Sequence, residues 1–153
     1  MDVNFKLLPE AVASVRPTDK QEALICVAQT FADVYGMDQF ETLDGLEERE
    51  NLGSTGFGRS VAIPHTRSTQ VNRPTVVLLR LETPVDFDAA DGMPVDIVFG
   101  MLSPEKAGVT HLHALAAISR LVRDDATHTV LSETSDPEAL FALLSNKLER
   151  DAA

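Results

Sequence analysis

A run of small residues that leads into a short apolar segment and then Pro-His places the strongest constraint on this chain. Residues 53–58 read Gly-Ser-Thr-Gly-Phe-Gly, a composition that turns tightly and can offer backbone N–H groups to an anion. Residues 61–63, Val-Ala-Ile, predict a strand. Pro64 fixes its own φ and donates no backbone hydrogen bond, so we expect the strand to stop or bulge there. The imidazole of His65 is then expected to leave the sheet beside the glycine-rich loop, which places a nucleophilic nitrogen next to amide donors.

The composition limits the class of protein. The chain has 153 residues, of which 44% are hydrophobic, and one domain of this length buries a full core. Its formal net charge of −11 argues against a nucleic-acid-binding protein and suits a protein that meets a basic or neutral partner. No apolar run approaches the ~20 residues that span a bilayer, and no signal peptide is evident at the N-terminus. We therefore expect a cytoplasmic protein without direct membrane insertion.

The hydrophobic pattern predicts helices, then strands, then helices. We expect helices at about 18–35, 38–50, 111–123, 125–131 and from about 135 through 148, strands at 61–63, 75–81 and 95–102, and loops at 84–94 and 103–110. Thr18 with Gln21, and Ser135 with Glu138, fit the capping-box pattern, and Thr110 is expected to cap the third helix. This order of elements predicts an α/β fold with a small mixed sheet.

The run from residue 49 to residue 65 resembles the signature of the enzyme IIA proteins of the bacterial phosphotransferase system, fructose/mannitol type. That signature reads roughly Arg-Glu-x-x-Gly-x-Thr-Gly-x-Gly-x-Gly-Ala-Ile-Pro-His, and the chain departs from it at Ser60 and Val61. The resemblance extends over nearly the whole chain and is greatest to the free-standing nitrogen-regulatory branch. It implies one enzyme IIA type-2 domain over residues 1–153, a single-domain layered sandwich in which a small mixed β-sheet is flanked by helices on both faces.

Two histidines are the candidate catalytic residues. A neutral imidazole attacks phosphorus well near pH 7, and His65 is the candidate nucleophile because it follows the predicted strand end beside the glycine-rich loop. His111 opens the predicted third helix, where the helix dipole and free N–H groups favour an anion. The resemblance implies that His111 lies beside the nucleophile and hydrogen-bonds the phosphoryl group or holds the ring of His65, without itself being phosphorylated.

Three further residues are candidates for phosphate binding. Arg49 ends the predicted second helix just before the loop, where its guanidinium can contact phosphate in a bidentate manner or simply stabilise the helix C-terminus. Ser54 and Thr55 can donate their hydroxyls to phosphoryl oxygens, or they can serve the turn itself. Arg59 and Arg67 flank the site and are expected either to meet an acidic edge of a partner or to be solvated surface residues.

The other two histidines do not predict a metal site. His113 points about 200° around the helix from His111, so the two rings cannot share one site, and His128 is expected at the surface. The chain also lacks a Cys, His and carboxylate set at the spacing of metal ligands. We therefore expect neither a metal ion nor an organic cofactor.

The favoured function is that of a phosphocarrier, a phosphotransferase whose His65 accepts a phosphoryl group from the phosphohistidine of an HPr-type carrier. The resemblance implies that the chain acts mainly as a phosphorylation-dependent regulator of nitrogen and potassium metabolism, with a potassium transporter or a sensor kinase as its target. The alternative is a sugar-specific component that passes phosphate to a fructose/mannitol-type IIB domain, and a metal-dependent hydrolase is a third hypothesis. The partner surface is expected to be an apolar patch around His65 that includes Phe57, Val61 and Met101.

Overall fold

The computed structural model describes the backbone of residues 4–152 and the side chains of residues 4–150. Residues 1–3 and 153 of the predicted domain lie outside the described residues. A short 3₁₀ turn, Pro9–Ala11, precedes the first strand. The strands are β1 (Val12–Val15), β2 (Gly56–Gly58), β3 (Val61–Ala62), β4 (His65–Ser68), β5 (Thr75–Val85) and β6 (Val95–Pro104), and the helices are α1 (Lys20–Tyr35), α2 (Gln39–Asn51), α3 (Val109–Arg123), α4 (Asp125–Glu133) and α5 (Pro137–Ala152).

One six-stranded mixed sheet forms the centre of the fold. The strand order is β1-β5-β6-β3-β2, and β4 pairs with β6 beyond the end of β3. β1 lies parallel to β5, and β3 and β4 both lie parallel to β6, whereas the β5/β6 and β2/β3 pairs are antiparallel. The mixed sheet that the sequence predicts is therefore confirmed, although the short strands β1, β2 and β4 were not expected.

Helices cover both faces of this sheet, as the alternation of side chains along β6 shows. A Cβ placed on Gly100 would lie 2.5 Å from Cγ1 of Val27, so this position lies directly against α1 and requires a glycine. Ser103 is three residues further along and faces the other side of the strand. Its hydroxyl contacts His111 of α3 at 2.7 Å. The predicted sandwich, with helices on both faces, is therefore confirmed.

Pro64 separates two short strands, β3 and β4, that lie end to end along the same edge of β6. β3 ends at Ala62 and β4 begins at His65, and both pair in parallel with β6. Pro64 has no N–H to donate, but its carbonyl oxygen accepts a hydrogen bond from the N–H of Met101 at 2.9 Å. The predicted stop at Pro64 is confirmed. The chain then re-enters the sheet, so His65 is the first residue of a strand that pairs only with β6 among the described residues.

Two helices begin one residue later than predicted. Asp19, rather than Thr18, accepts the capping hydrogen bond at the start of α1, at 2.8 Å. In the same way Asp136, rather than Ser135, accepts a first-turn N–H of α5 at 3.2 Å. In both places an aspartate directly follows the predicted cap, and its carboxylate is an equally good acceptor. The capping-box pattern therefore identified the helices but not their first residues.

Two other boundaries were also predicted incorrectly. Thr110 does not cap α3, because the helix begins before it and its hydroxyl donates to the carbonyl oxygen of Ala107 at 3.0 Å. β5 continues past residue 81 through Val85, which pairs with Val95 after an irregularity in the register. The first residues of the predicted loop 84–94 therefore belong to the sheet.

Candidate active site

Two imidazole rings lie side by side in the wall of one surface cavity. The ring centroids of His65 and His111 are 5.7 Å apart, and the ring planes are inclined by 52°. The cavity has a volume of about 350 Å³. Its lining comes from α2, β4 and α3 together with the residue after α2, and consists of Gly45, Glu48, Arg49, Leu52, His65, Thr66, Arg67 and His111. The structure thus brings together three of the five predicted site residues, His65, His111 and Arg49.

A backbone carbonyl determines which nitrogen of His65 carries the proton. Nδ1 lies 2.7 Å from the carbonyl oxygen of Ile63, and a carbonyl oxygen can only accept a hydrogen bond. Nδ1 is therefore the protonated nitrogen, and the lone pair of the neutral ring is on Nε2. Burial is the main cause that lowers the pKa of His65, and the charges of Arg49 and Arg67 add to it. The hydrogen bond to Ile63 and the charge of Glu50 oppose this shift of the pKa. The ring is neutral near pH 7, with Nε2 as its nucleophilic nitrogen.

His111 lies in the first turn of α3 and is buried. Its Nδ1 lies 2.7 Å from the hydroxyl oxygen of Ser103, a fully buried residue of β6. Burial lowers the pKa of His111 to about 4, and the charges of Arg67 and His65 contribute in the same direction. His111 is therefore a neutral ring at pH 7, fixed in orientation by its bond to Ser103.

Arg49 brings a positive charge to the cavity wall from the last turn of α2. Its Nη1 donates a hydrogen bond to the carbonyl oxygen of Gly53 at 2.8 Å, which holds the side chain at the C-terminus of the helix. Its charge also lowers the pKa of His65. Stabilising the helix C-terminus and contacting a phosphate, the two roles that the sequence left open for Arg49, are compatible. A guanidinium has five N–H donors, and only one is used for Gly53.

The glycine-rich loop does not present its donors to the cavity. The N–H of Thr55 donates to Oε1 of Glu50 at 2.8 Å, and the Thr55 hydroxyl donates to Oε2 at 2.6 Å. The N–H of Gly56 donates to Oγ of Ser54 at 3.0 Å, and the Ser54 hydroxyl donates to the carbonyl oxygen of Phe87. Ser54 and Thr55 do not line the cavity, and this geometry gives no support to their predicted contact with phosphate. The N–H groups of Thr55 and Gly56 are therefore not available to the predicted cradle of amide hydrogens beside His65.

Glu50 is the physical reason for this difference. Its side chain is only 5% exposed, and besides the two donors of Thr55 it contacts Nζ of Lys20 at 2.9 Å. A tight loop with several N–H groups needs an acceptor, and here the chain supplies its own carboxylate. Glu50 therefore stabilises the loop that follows α2 in place of a bound anion.

Sequence reasoning undervalued Arg67 and missed Ser103. Arg67 lies two residues after His65 on β4, so strand alternation already places it on the same face as the nucleophile. A strand over residues 65–68 was not predicted, and this signal was therefore not used. Ser103 was assigned to a loop, and nothing in the spacing of residues 103 and 111 indicates that they are hydrogen-bonded.

Two predictions about surface residues are wrong. Val61 and Met101 are buried, so only Phe57 of the predicted partner patch is exposed, at 38%. His128 is not a free surface residue, because its Nε2 lies 2.8 Å from Oδ1 of Asp96 and the pair is partly buried. Near the cavity, the exposed apolar side chains are instead Leu52 in the lining and Val109 and Leu112, which lie in α3 on either side of His111 in sequence.

The described residues contain neither a cluster of metal ligands nor a membrane-spanning helix. Within residues 4–150, no three His, Cys, Asp or Glu side chains are grouped so that they could hold a metal ion. Of the helices in the described part of the chain, none has both the length and the apolar character needed to cross a bilayer.

Comparison with known proteins identifies the family. The model of the family described as "Phosphoenolpyruvate-dependent sugar phosphotransferase system, EIIA 2" matches residues 8–147. The chain belongs to this family. The resemblance that the sequence signature indicated is therefore confirmed, and this EIIA chain is a phosphoryl-transfer component of the phosphotransferase system.

Individual relatives match over nearly the whole length of this EIIA chain. The nitrogen regulatory protein of Bradyrhizobium diazoefficiens is 36% identical over 146 residues, which are 95% of this chain and 95% of that protein. The fructose-specific EIIA component of Haloferax volcanii is 31% identical over 134 residues, 87% of each chain. The crystal structure of nitrogen regulatory protein IIA-Ntr from Neisseria meningitidis superposes with a TM-score of 0.80 at 31% identity, covering 90% of this chain and 95% of that one.

Proposed function

We propose that His65 is the residue that carries the phosphoryl group, on its Nε2 atom. The observation that carries this proposal is the 2.7 Å hydrogen bond from Nδ1 to the carbonyl oxygen of Ile63. It fixes the proton on Nδ1 and leaves the Nε2 lone pair available on a ring whose pKa is lowered. The cavity wall around this ring also contains Arg49 and Arg67, which suits a dianionic group.

The transfer step requires no metal ion and no organic cofactor. The lone pair on Nε2 of His65 forms a bond to the phosphorus of a phosphohistidine on an HPr-type carrier. The P–N bond of the carrier breaks, and its electron pair stays on the carrier's ring nitrogen. The carrier's ring leaves as a neutral imidazole if its other nitrogen is protonated. His65 keeps its Nδ1 proton, and the carbonyl of Ile63 stabilises the positive charge on the phosphorylated ring.

His111 and Arg49 are proposed to stabilise the phosphoryl group during this step. His111 is neutral and is oriented by Ser103, so it can donate one hydrogen bond to a phosphoryl oxygen without itself competing as a base. Arg49 offers the N–H groups that Gly53 does not use. Ser54 and Thr55 contribute indirectly, through the loop that holds Gly53 in place.

The use of the phosphoryl group is proposed to be regulatory. The 36% identical relative is named a nitrogen regulatory protein, and phosphorylation adds about −1.5 to −2 charges at one point of the surface. Such a change alters docking onto a target, and the family resemblance suggests a potassium transporter or a sensor kinase in the cytoplasm. Leu52, Val109 and Leu112 provide exposed apolar area near the cavity for an HPr-type donor.

Phosphoryl uptake from a defined donor tests the proposal. The protein is incubated with labelled phosphoenolpyruvate, enzyme I and an HPr-type carrier, and the bond is then tested in acid and base. Wild type should gain a label that is acid-labile and base-stable, and His65→Ala should gain none. His113→Ala is the matched control, because His113 is an exposed histidine outside the cavity lining, and it should label like wild type. An unlabelled wild type, or a labelled His65→Ala variant, would contradict the proposal.

A second readout concerns His111. His111→Ala should still accept the phosphoryl group but pass it on slowly, because the nucleophile is intact while the neighbouring donor is lost. Onward transfer from labelled protein back to unlabelled carrier measures this effect. A normal transfer rate would remove His111 from the proposed mechanism.

A sugar-specific role is the second candidate function. The fructose-specific EIIA component of Haloferax volcanii is 31% identical to this chain, which is close to the identity with the nitrogen regulatory proteins. The two uses share the chemistry and differ in the acceptor. If labelled protein loses its phosphoryl group to a fructose- or mannitol-type IIB domain, sugar uptake is favoured, and retention of the label favours the regulatory role.

A further inference from the structure

We propose that Arg67 is a catalytic residue whose guanidinium binds the non-bridging oxygens of the phosphoryl group during its transfer to His65. This inference rests on the proposed function of His65. It extends that function by a second arginine, which approaches the cavity from β4 while Arg49 approaches it from α2.

The position of Arg67 follows from the strand register. Residues two apart on a strand lie on the same face, so His65 and Arg67 share one face of β4. In the parallel pairing with β6, Arg67 is opposite Ser103, whose hydroxyl holds the ring of His111. Thr66, between them, packs close to Gly45 of α2, and these two residues complete the cavity wall on the α2 side. Arg67 is therefore placed beside both imidazoles.

Electrostatics show that the charge of Arg67 reaches both rings. Burial is the largest cause of the low pKa of His111, and the charge of Arg67 is the next. The same charge also lowers the pKa of His65. A cation that disfavours a proton on both imidazoles must favour a dianion at the same place, because the sign of the interaction reverses.

The guanidinium of Arg67 is anchored but has donors left. Nη1 donates to the carbonyl oxygen of Pro104 at 3.3 Å, at the end of β6. Across residues 4–150, the structure gives Arg67 no carboxylate partner, and the fork of a guanidinium matches two oxygens of a phosphoryl group. Arg59 is different although it is also close to His65 in sequence. Its Nη1 is directed to the carbonyl of Arg123 and to Asp125, at 3.3 Å from the carboxylate.

The test uses a donor without a protein surface, because an exposed arginine can also act by docking a carrier. Phosphoramidate transfers its phosphoryl group to an imidazole nitrogen and releases ammonia, so the rate at which label appears on His65, resolved from the other histidines by peptide mapping, reports the chemistry without carrier docking. We expect Arg67→Gln to slow labelling by phosphoramidate about 10- to 100-fold, the scale of losing one preorganised donor to a transition state. Arg67→Lys should recover part of the rate, since it restores the charge but not the fork.

Arg59→Gln is the matched control, and it should label at the wild-type rate with phosphoramidate and with the phosphorylated carrier. Circular dichroism of each variant confirms that the fold is kept. If wild type is labelled on His65 and Arg67→Gln reacts equally fast with phosphoramidate, the inference is wrong while the function of His65 stands. If Arg67→Gln is slow only with the protein carrier, the inference is also wrong, and Arg67 acts by docking the carrier. If wild type itself takes up no label from either donor, the proposed function of His65 is wrong, and the inference about Arg67 falls with it.

Discussion

The neutral ring of His111 gives the most direct test of the electrostatics of the site. The folded protein holds this ring at a pKa of about 4, whereas the ordinary value is 6.5. Between these two pH values the unfolded chain binds a proton that the folded chain excludes. The stabilising contribution of the neutral ring is therefore complete above pH 6.5 and is lost as the pH falls toward 4.

The size of this effect follows from the two pKa values. At about 1.4 kcal/mol per pKa unit, the full difference is about 3 kcal/mol. At pH 5.0 the unfolded ring is almost fully protonated and the folded ring is mostly neutral, so about 2 kcal/mol is already lost. His111→Gln removes the titrating ring, and its amide can retain a hydrogen bond to Ser103. We expect wild type to lose about 2 kcal/mol more of its free energy of unfolding between pH 7.5 and pH 5.0 than this variant loses.

Urea unfolding at both pH values, followed by circular dichroism, measures the difference. His65 is present in both proteins, so the comparison isolates the titration of His111 together with its coupling to His65. His113→Gln is the control, because it removes an exposed histidine from the same helix, and it should follow wild type. If wild type and His111→Gln lose the same free energy on acidification, the ring is not held neutral by burial and by Arg67, and the reasoning is refuted.

Four further outcomes are expected. Gly100→Ala should lower the free energy of unfolding by about 1–3 kcal/mol in urea, because the added Cβ would lie 2.5 Å from Val27. Glu50→Ala should lower the free energy of unfolding by about 2–3 kcal/mol, because two donors of the buried Thr55 lose their acceptor and the partly buried Lys20 loses its nearer carboxylate. Ser60→Gly should raise the free energy of unfolding by up to about 1 kcal/mol, and with it the melting temperature. Ser60 has φ +67°, a left-handed conformation that glycine adopts without strain. Arg67→Gln should raise the pKa of both active-site imidazoles in an NMR titration, and an unchanged titration would place its charge outside the cavity.

The sequence predicts those parts of the fold that depend on local chemistry. Apolar periodicity identified the long helices and the strands β5 and β6, and Pro64 correctly marked the break before His65. Errors occurred where two neighbouring residues offer the same interaction. At the start of α1 a threonine and an aspartate compete to cap the helix, and the pattern alone does not rank Thr18 against Asp19.

The glycine-rich loop illustrates a different limit. Its composition indicates a set of backbone donors that need an acceptor, and this indication is correct. The sequence does not show whether the acceptor is a ligand or a side chain of the same chain. The buried carboxylate of Glu50 takes that place for Thr55, so the proposed phosphoryl site lies instead in the cavity lined by Arg49, Arg67 and the two histidines. Long-range contacts such as that between His111 and Ser103 are likewise absent from any local pattern.

One arrangement of charges accounts for both properties that a phosphohistidine carrier needs. A nucleophilic imidazole must remain unprotonated near neutral pH, and its phosphorylated form must be stabilised against the cost of bringing two negative charges into a partly buried site. Positive charge from Arg49 and Arg67 lowers the pKa of His65, and in the proposed transfer the same charge would attract the phosphoryl oxygens. Burial alone would meet only the first, since a low dielectric also opposes the dianion. In the proposed function, the two guanidiniums are therefore what would allow a half-buried ring to act as an acceptor of phosphate.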